Sequence, residues 1–139
     1  IEIVEQRLLV EPGSFVLDIQ QAAPYFRKQG ALGFINSFVN NALPGMKHPI
    51  TGVFDVLELL YHTHPTQHNG LSLAVSHDTI LAAIVAVISG NKQIEQSDWP
   101  DMMEGLFVWF EGEDFSNSKL KWIWRGQKHE LVIKDFQNK

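Results

Sequence analysis

LSLAVSHDTILAAIVAVISG, residues 71–90, decides how the rest of the chain is read. Its first six residues form a short apolar run behind Gly70, the pattern of a strand buried on both faces of a parallel sheet. From Asp78 onward the run is rich in Ala, Ile and Val as far as Gly90, which predicts an apolar helix stopped at a glycine C-cap. The polar pair His77 and Asp78 stands where strand hands over to helix. In open α/β sheets, ligands gather outside the carboxyl ends of the strands. The first N–H groups of a helix, with the positive end of its dipole, favour an anion in the same place. There an imidazole can donate to an oxyanion and a carboxyl beside it can move a proton. The residue types also fit a plainer role, with Ser76 or Asp78 as an N-cap and His77 as a loop residue.

Upstream, TGVFDVLELLYHTHPTQHNG sets Val53, Phe54, Leu57, Leu60 and Tyr61 on one helical face, and predicts a helix over 52–63 with Thr51 as its cap. A helix, a buried strand and a second helix make an α/β unit. FVLDIQQAAPYFRKQGALGFINSFVNNALPG, residues 15–45, has apolar residues at helical spacing, with a start at Ser14 or Asp18. Pro24, Gly30, Gly33 and Pro44 interrupt it, so short helices and loops are expected rather than one long element. IEIVEQRLLV at the start of the chain is β-prone and is closed by a turn at Pro12 and Gly13. Downstream of WPDMM, the runs EGLFVWFEG, KLKWIWRG and HELVIKDF read as two or three antiparallel strands at a sheet edge, the first two joined through EDFSNS.

Bulk composition sets limits on function. The 139 residues, 45% of them hydrophobic and 19% charged, suit one compact soluble domain or a portion of one. A formal charge of -5 gives no excess of Lys and Arg to neutralise phosphates, which argues against nucleic acid and anionic membrane surfaces as partners. No apolar run reaches the roughly 18 residues of a membrane-spanning helix. With no cysteine, disulfides and thiol chemistry are excluded, while the compartment stays open. The sequence begins at Ile1 inside a β-prone run, so the expectation is that an upstream segment has been removed.

VSHDTILAAIVAVISG followed by WPDMMEGLFVWFEG resembles the C-terminal part of the histidine phosphatase superfamily, in its acid phosphatase-like branch. There a Ser/Gly-His-Asp-Thr motif leads into a helix and then into a Pro-containing strand that ends in Phe-Glu. VEQRLLVEPGSF resembles, more weakly, the segment of the phosphoglycerate mutase-like branch that carries an Arg-Leu pattern followed by Glu. The resemblance implies a three-layer α/β/α fold with a mixed, mostly parallel sheet and antiparallel edge strands, its N-terminal part missing here.

It also implies phosphate monoester hydrolysis through a phosphohistidine, without cofactor or metal. Carried over by motif, His77 stabilises the phosphoryl group, Asp78 is the proton donor, and Glu11 is a second candidate for that acid. His77 and Thr79 are the substrate-binding pair. The expected partner is a phosphorylated small molecule or a phosphate anion.

The nucleophile of that family lies in an Arg-His-Gly motif, which does not occur in these residues; the arginines are Arg7, Arg27 and Arg125. The nucleophile is therefore expected outside this chain, on a companion N-terminal segment, and homo-oligomerisation is another way to cover an incomplete half. The rival function is a catalytically inactive phosphatase-like binding or interaction module.

YHTHPTQH brings His62, His64 and His68 close in sequence, a spacing able to hold zinc, copper or nickel, yet without a carboxylate it reads better as a solvated helix end and loop. His48 and His129 carry no functional expectation. Trp99, Trp109, Trp122 and Trp124 read as core or interface residues, since no basic stripe accompanies them.

Overall fold

The computed structural model describes residues 2–11, 14–65 and 69–139; the turn expected at Pro12 and Gly13 lies outside them. Four helices and three strands are found among these residues: α1 (Ile19–Val39), α2 (Pro49–Thr63), α3 (Asp78–Ser89), β1 (Phe107–Glu111), β2 (Lys119–Trp124), β3 (Gln127–Val132) and α4 (Ile133–Gln137). The strands form one antiparallel sheet in the order β1-β2-β3.

The last third of the chain matches its patterning in three antiparallel strands, but Ile133–Gln137, expected to continue the third strand, form α4, which buries Ile133 and Phe136 at a helical spacing of three. Phe107 pairs with Ile123 and Glu111 with Lys119, and Lys119 in turn pairs with Val132. Arg125 and Gly126 close the β2–β3 hairpin, both with positive φ, as a two-residue turn matched to the twist of its strands requires. Leu120 and Trp122 alternate inward and are buried, while Lys121 reaches Glu111 at 2.9 Å on the other face. Tyr61 of α2 meets Phe110 edge-on at 5.4 Å, and Phe54 meets Phe115 at 5.2 Å. Through these contacts α2 lies against the sheet, while α3 packs on α1 and α2.

Residues 19–39 meet the expectation of short helices in part. Two helical stretches join at a kink at Gly30, whose φ of 72° and ψ of 177° are not helical. Pro24 sits in the second turn, where losing one N–H is tolerated because Ala22, Phe34, Ile35, Phe38 and Val39 anchor the rest in the core. Asp18 is the N-cap, its carboxylate accepting from Gln20 and Gln21. α2 starts three residues earlier than expected, on Pro49 at the first helical position, and His48 replaces Thr51 as cap by accepting from the Ile50 N–H at 3.2 Å.

Residues 14–18 return along 45–47, where Val16 bridges Met46 and the Gly45 carbonyl accepts from Leu17 and Asp18. Gly45 has φ 73°, and a Cβ there would stand 2.6 Å from the Asp18 carbonyl oxygen.

Two expected strands are absent. Residues 2–6 have no regular structure and Arg7–Leu9 form a 3-10 turn. Residues 71–76, expected as a buried parallel strand, have no regular structure and pair with no strand among the described residues, with Leu71, Leu73 and Val75 at 86%, 85% and 79% exposure. The physical reason is that an extended segment becomes a strand only where a neighbour takes its N–H and C=O groups, and among the described residues none does. The architecture shown is thus a mixed helix and strand fold with a small antiparallel sheet.

Asn36 ties the stretch after α3 back to α1. Its Oδ1 accepts from the buried Ile94 N–H at 2.7 Å and its Nδ2 donates to the Ile94 carbonyl at 2.9 Å. Asn36→Ala leaves both groups without their partner, and a loss of about 2 kcal/mol in urea unfolding is expected.

Candidate functional site

α3 starts where the patterning placed it, after His77, and ends on Gly90 in the left-handed conformation. His77 is the N-cap residue, with extended backbone at φ -109° and ψ 156°, but its side chain makes no capping bond. Asp78 supplies part of what the cap leaves undone: its Oδ1 accepts from the Thr79 N–H at 2.8 Å, at the end of α3 where a negative charge is favoured.

A segment nearly seventy residues upstream is fastened to this turn. Ser76 Oγ donates to the Leu9 carbonyl at 2.6 Å, and Thr79 Oγ1 donates to Glu11 Oε1. Ser14 Oγ, fully buried, donates to the Leu8 carbonyl, which fixes the 3-10 turn from its other side. Glu11 therefore stands at the first turn of α3. Of the expected site residues, Glu11 and Thr79 are in direct contact, Asp78 touches Thr79, and His77 is adjacent in the chain and exposed.

Asp78 has a further partner that sequence reasoning missed. Trp99 Nε1 donates to Asp78 Oδ2 at 3.0 Å, so both carboxylate oxygens accept from protein donors. Trp99 is held in turn by Arg125, whose Nη2 donates to the Trp99 carbonyl at 2.9 Å and whose Nη1 donates to Ser97 at 2.6 Å. The same guanidinium makes a two-pronged pair with Glu104, at 2.8 and 2.9 Å. A signal for this existed in Arg125-Gly126, a two-residue turn between strands. It aims the Arg125 side chain at whatever precedes β1, but the residue it would grip was not readable.

The Arg125 guanidinium holds the Glu104 carboxyl below the usual carboxylate range, and Glu104 raises Arg125. Glu104 binds more protons unfolded than folded. The clasp therefore contributes its stability above the ordinary value of roughly 4.3 and loses it as pH falls through the lowered value. Thermal melts are expected to show a smaller loss of Tm on acidification below about pH 5 for Glu104→Gln than for the native chain. Equal acid sensitivity would mean that Glu104 does not contribute to the acid transition.

Beside the Glu11–Thr79 contact opens a cavity of about 280 Å³, bounded by the 14–18 stretch, α1 and the start of α3. Its lining is largely apolar, with Glu11, Ser14, Arg27 and Thr79 as the polar members. Of the three arginines, Arg27 is the one that borders this cavity, whereas Arg125 is engaged by Glu104.

Among the described residues no group of three His, Asp or Glu side chains is gathered closely enough to hold a metal ion. His62 ends α2, the His64 ring contacts the Tyr61 carbonyl, and His68 lies outside the described residues. Trp122 is buried in the core and stacks on His129 at 5.3 Å. No helix among the described residues is long and apolar enough to cross a membrane. Neither a protein-family model, nor a curated protein, nor a solved structure matches the chain.

Proposed function

We propose that this chain carries the second-histidine and acid side of a histidine phosphatase site that hydrolyses phosphate monoesters. The observation that supports the reading is the fastening of Glu11 to Thr79 in the first turn of α3, which gathers the candidate residues from two distant segments. In this reading a nucleophilic His on an Arg-His-Gly segment outside these residues attacks phosphorus. His77 donates to the phosphoryl oxygens as negative charge builds on them. Asp78 protonates the departing alcohol oxygen, and water then releases phosphate from the phosphohistidine. Arg27, which lines the cavity together with Glu11 and Thr79, is a cation available to the incoming dianion.

The same reading accounts for residues 71–76. Their exposed Leu71, Leu73 and Val75 suit a strand that pairs within a larger, mostly parallel sheet once a companion segment supplies its neighbours. Those exposed side chains are also what favours the second reading, an inactive module that binds a protein partner by strand addition.

The two are separated by assay of the natural protein together with any co-purifying chain. Vanadate-sensitive hydrolysis of p-nitrophenyl phosphate supports the phosphatase, and its absence from that complete preparation gives the lead to the binding module. Asp78→Asn is expected to slow esters of poor leaving groups far more than activated aryl phosphates. If Glu11→Gln shows that pattern and Asp78→Asn does not, the proton donor is Glu11.

A further inference from the structure

The cavity beside the Glu11–Thr79 contact narrows the substrate. Phe15, Phe34, Ile35 and Ile80 form buried parts of its wall, and Ile19 and Phe26 contribute to the lining although both remain substantially exposed. Apolar surface left open to water costs about 25 cal/mol per Å² relative to its burial, so a lining of this kind favours an apolar occupant. At about 280 Å³ the space lies just under the roughly 300–1,000 Å³ of small-molecule sites, enough for a short alkyl chain or one aromatic ring. Its polar members are few. Ser14 spends its hydroxyl on the Leu8 carbonyl, and Glu11 and Thr79 are bonded to each other at the turn that carries His77 and Asp78.

We infer that the cavity receives the apolar organic part of a phosphate monoester, an alkyl or aryl phosphate, while the phosphoryl group sits at the first turn of α3. This rests on the phosphate-site reading above and adds to it the class of alcohol. A sugar or polyol phosphate would bury hydroxyl groups against Phe15, Phe34, Ile35 and Ile80 without partners, at a cost that an alkyl chain avoids.

The test is calorimetric titration of the natural protein, together with any co-purifying chain that carries the Arg-His-Gly segment, with ethyl, butyl, hexyl and octyl phosphate, with the matching alcohols, and with inorganic phosphate. Affinity for the phosphates is expected to rise roughly fourfold per methylene until the cavity is full, then level off. In Ala23→Phe, which places a ring into the lining, the levelling is expected at a shorter chain, with a circular dichroism melt confirming that the variant folds. A series flat at the affinity of inorganic phosphate would overturn the apolar subsite and leave the phosphate reading standing. Alcohols that bind as tightly as their phosphates, with no binding of inorganic phosphate, would overturn the phosphate reading and the ester with it.

Discussion

His77→Ala is expected to lower kcat/KM for phosphate monoesters by roughly 10²-fold or more in a preparation that contains the Arg-His-Gly segment, while leaving the melting temperature almost unchanged. The first half of that expectation follows from the proposed role, since an imidazole N–H aimed at the phosphoryl oxygens acts most strongly as charge develops on them. The second half follows from the structure alone. His77 is exposed and its side chain makes no capping bond, so its removal leaves no buried partner unsatisfied.

A companion variant sharpens the point. His77 occupies an N-cap with extended backbone, where Asn is among the preferred residues and His is not. His77→Asn is therefore expected to raise stability by up to about 1 kcal/mol while activity falls. Stability and activity moving in opposite directions would mark a position where a local folding rule is broken at a functional site. Hydrolysis that stays near the native rate in both variants would return His77 to an ordinary loop residue.

The largest loss of stability is expected at Phe38. It is 1% exposed, near the C-terminus of α1, and stacks on Phe15 with ring centroids 4.7 Å apart. Phe38→Ala removes its burial and leaves a cavity between α1 and the 14–18 stretch, at a cost of about 3–5 kcal/mol in chemical denaturation. Because Phe15 also lines the cavity beside Glu11, the same substitution is expected to weaken the attachment of the 7–11 stretch. Amide exchange is expected to quicken at Leu9 and Leu17 before it does in β2. Exchange that quickens equally everywhere would show that the N-terminal stretch opens only with global unfolding.

The legible parts of the chain were those whose burial is decided locally. α3 has apolar residues all round and a glycine stop, and β1 and β2 have aromatic and β-branched residues, with turn residues between the strands. At 19–39 the helix breakers were weighed correctly at Gly30 and too heavily at Pro24, because the packing of Phe34, Ile35 and Phe38 outweighs one lost hydrogen bond. Residues 71–76 differ for the opposite reason. Their short apolar run describes what a buried strand needs but says nothing of whether a partner strand is at hand.

For the site, the Ser-His-Asp-Thr resemblance singled out His77, Asp78 and Thr79, and a second, weaker resemblance in VEQRLLVEPGSF singled out Glu11. Nothing local could have named Trp99, and the Arg125-Gly126 turn marked Arg125 without showing what it grips.

By itself the sequence determined α3 with its polar junction, the antiparallel β1–β3 sheet and the absence of thiol chemistry, because side-chain periodicity, turn residues and composition act over a few residues. Only the tertiary structure decided that Glu11 reaches Thr79, that Trp99 holds Asp78 and that a largely apolar cavity opens beside them. Such contacts depend on how the 7–11 stretch, α1, α3 and the β2–β3 turn pack together. Packing of that kind is set by the whole core rather than by any single stretch of residues.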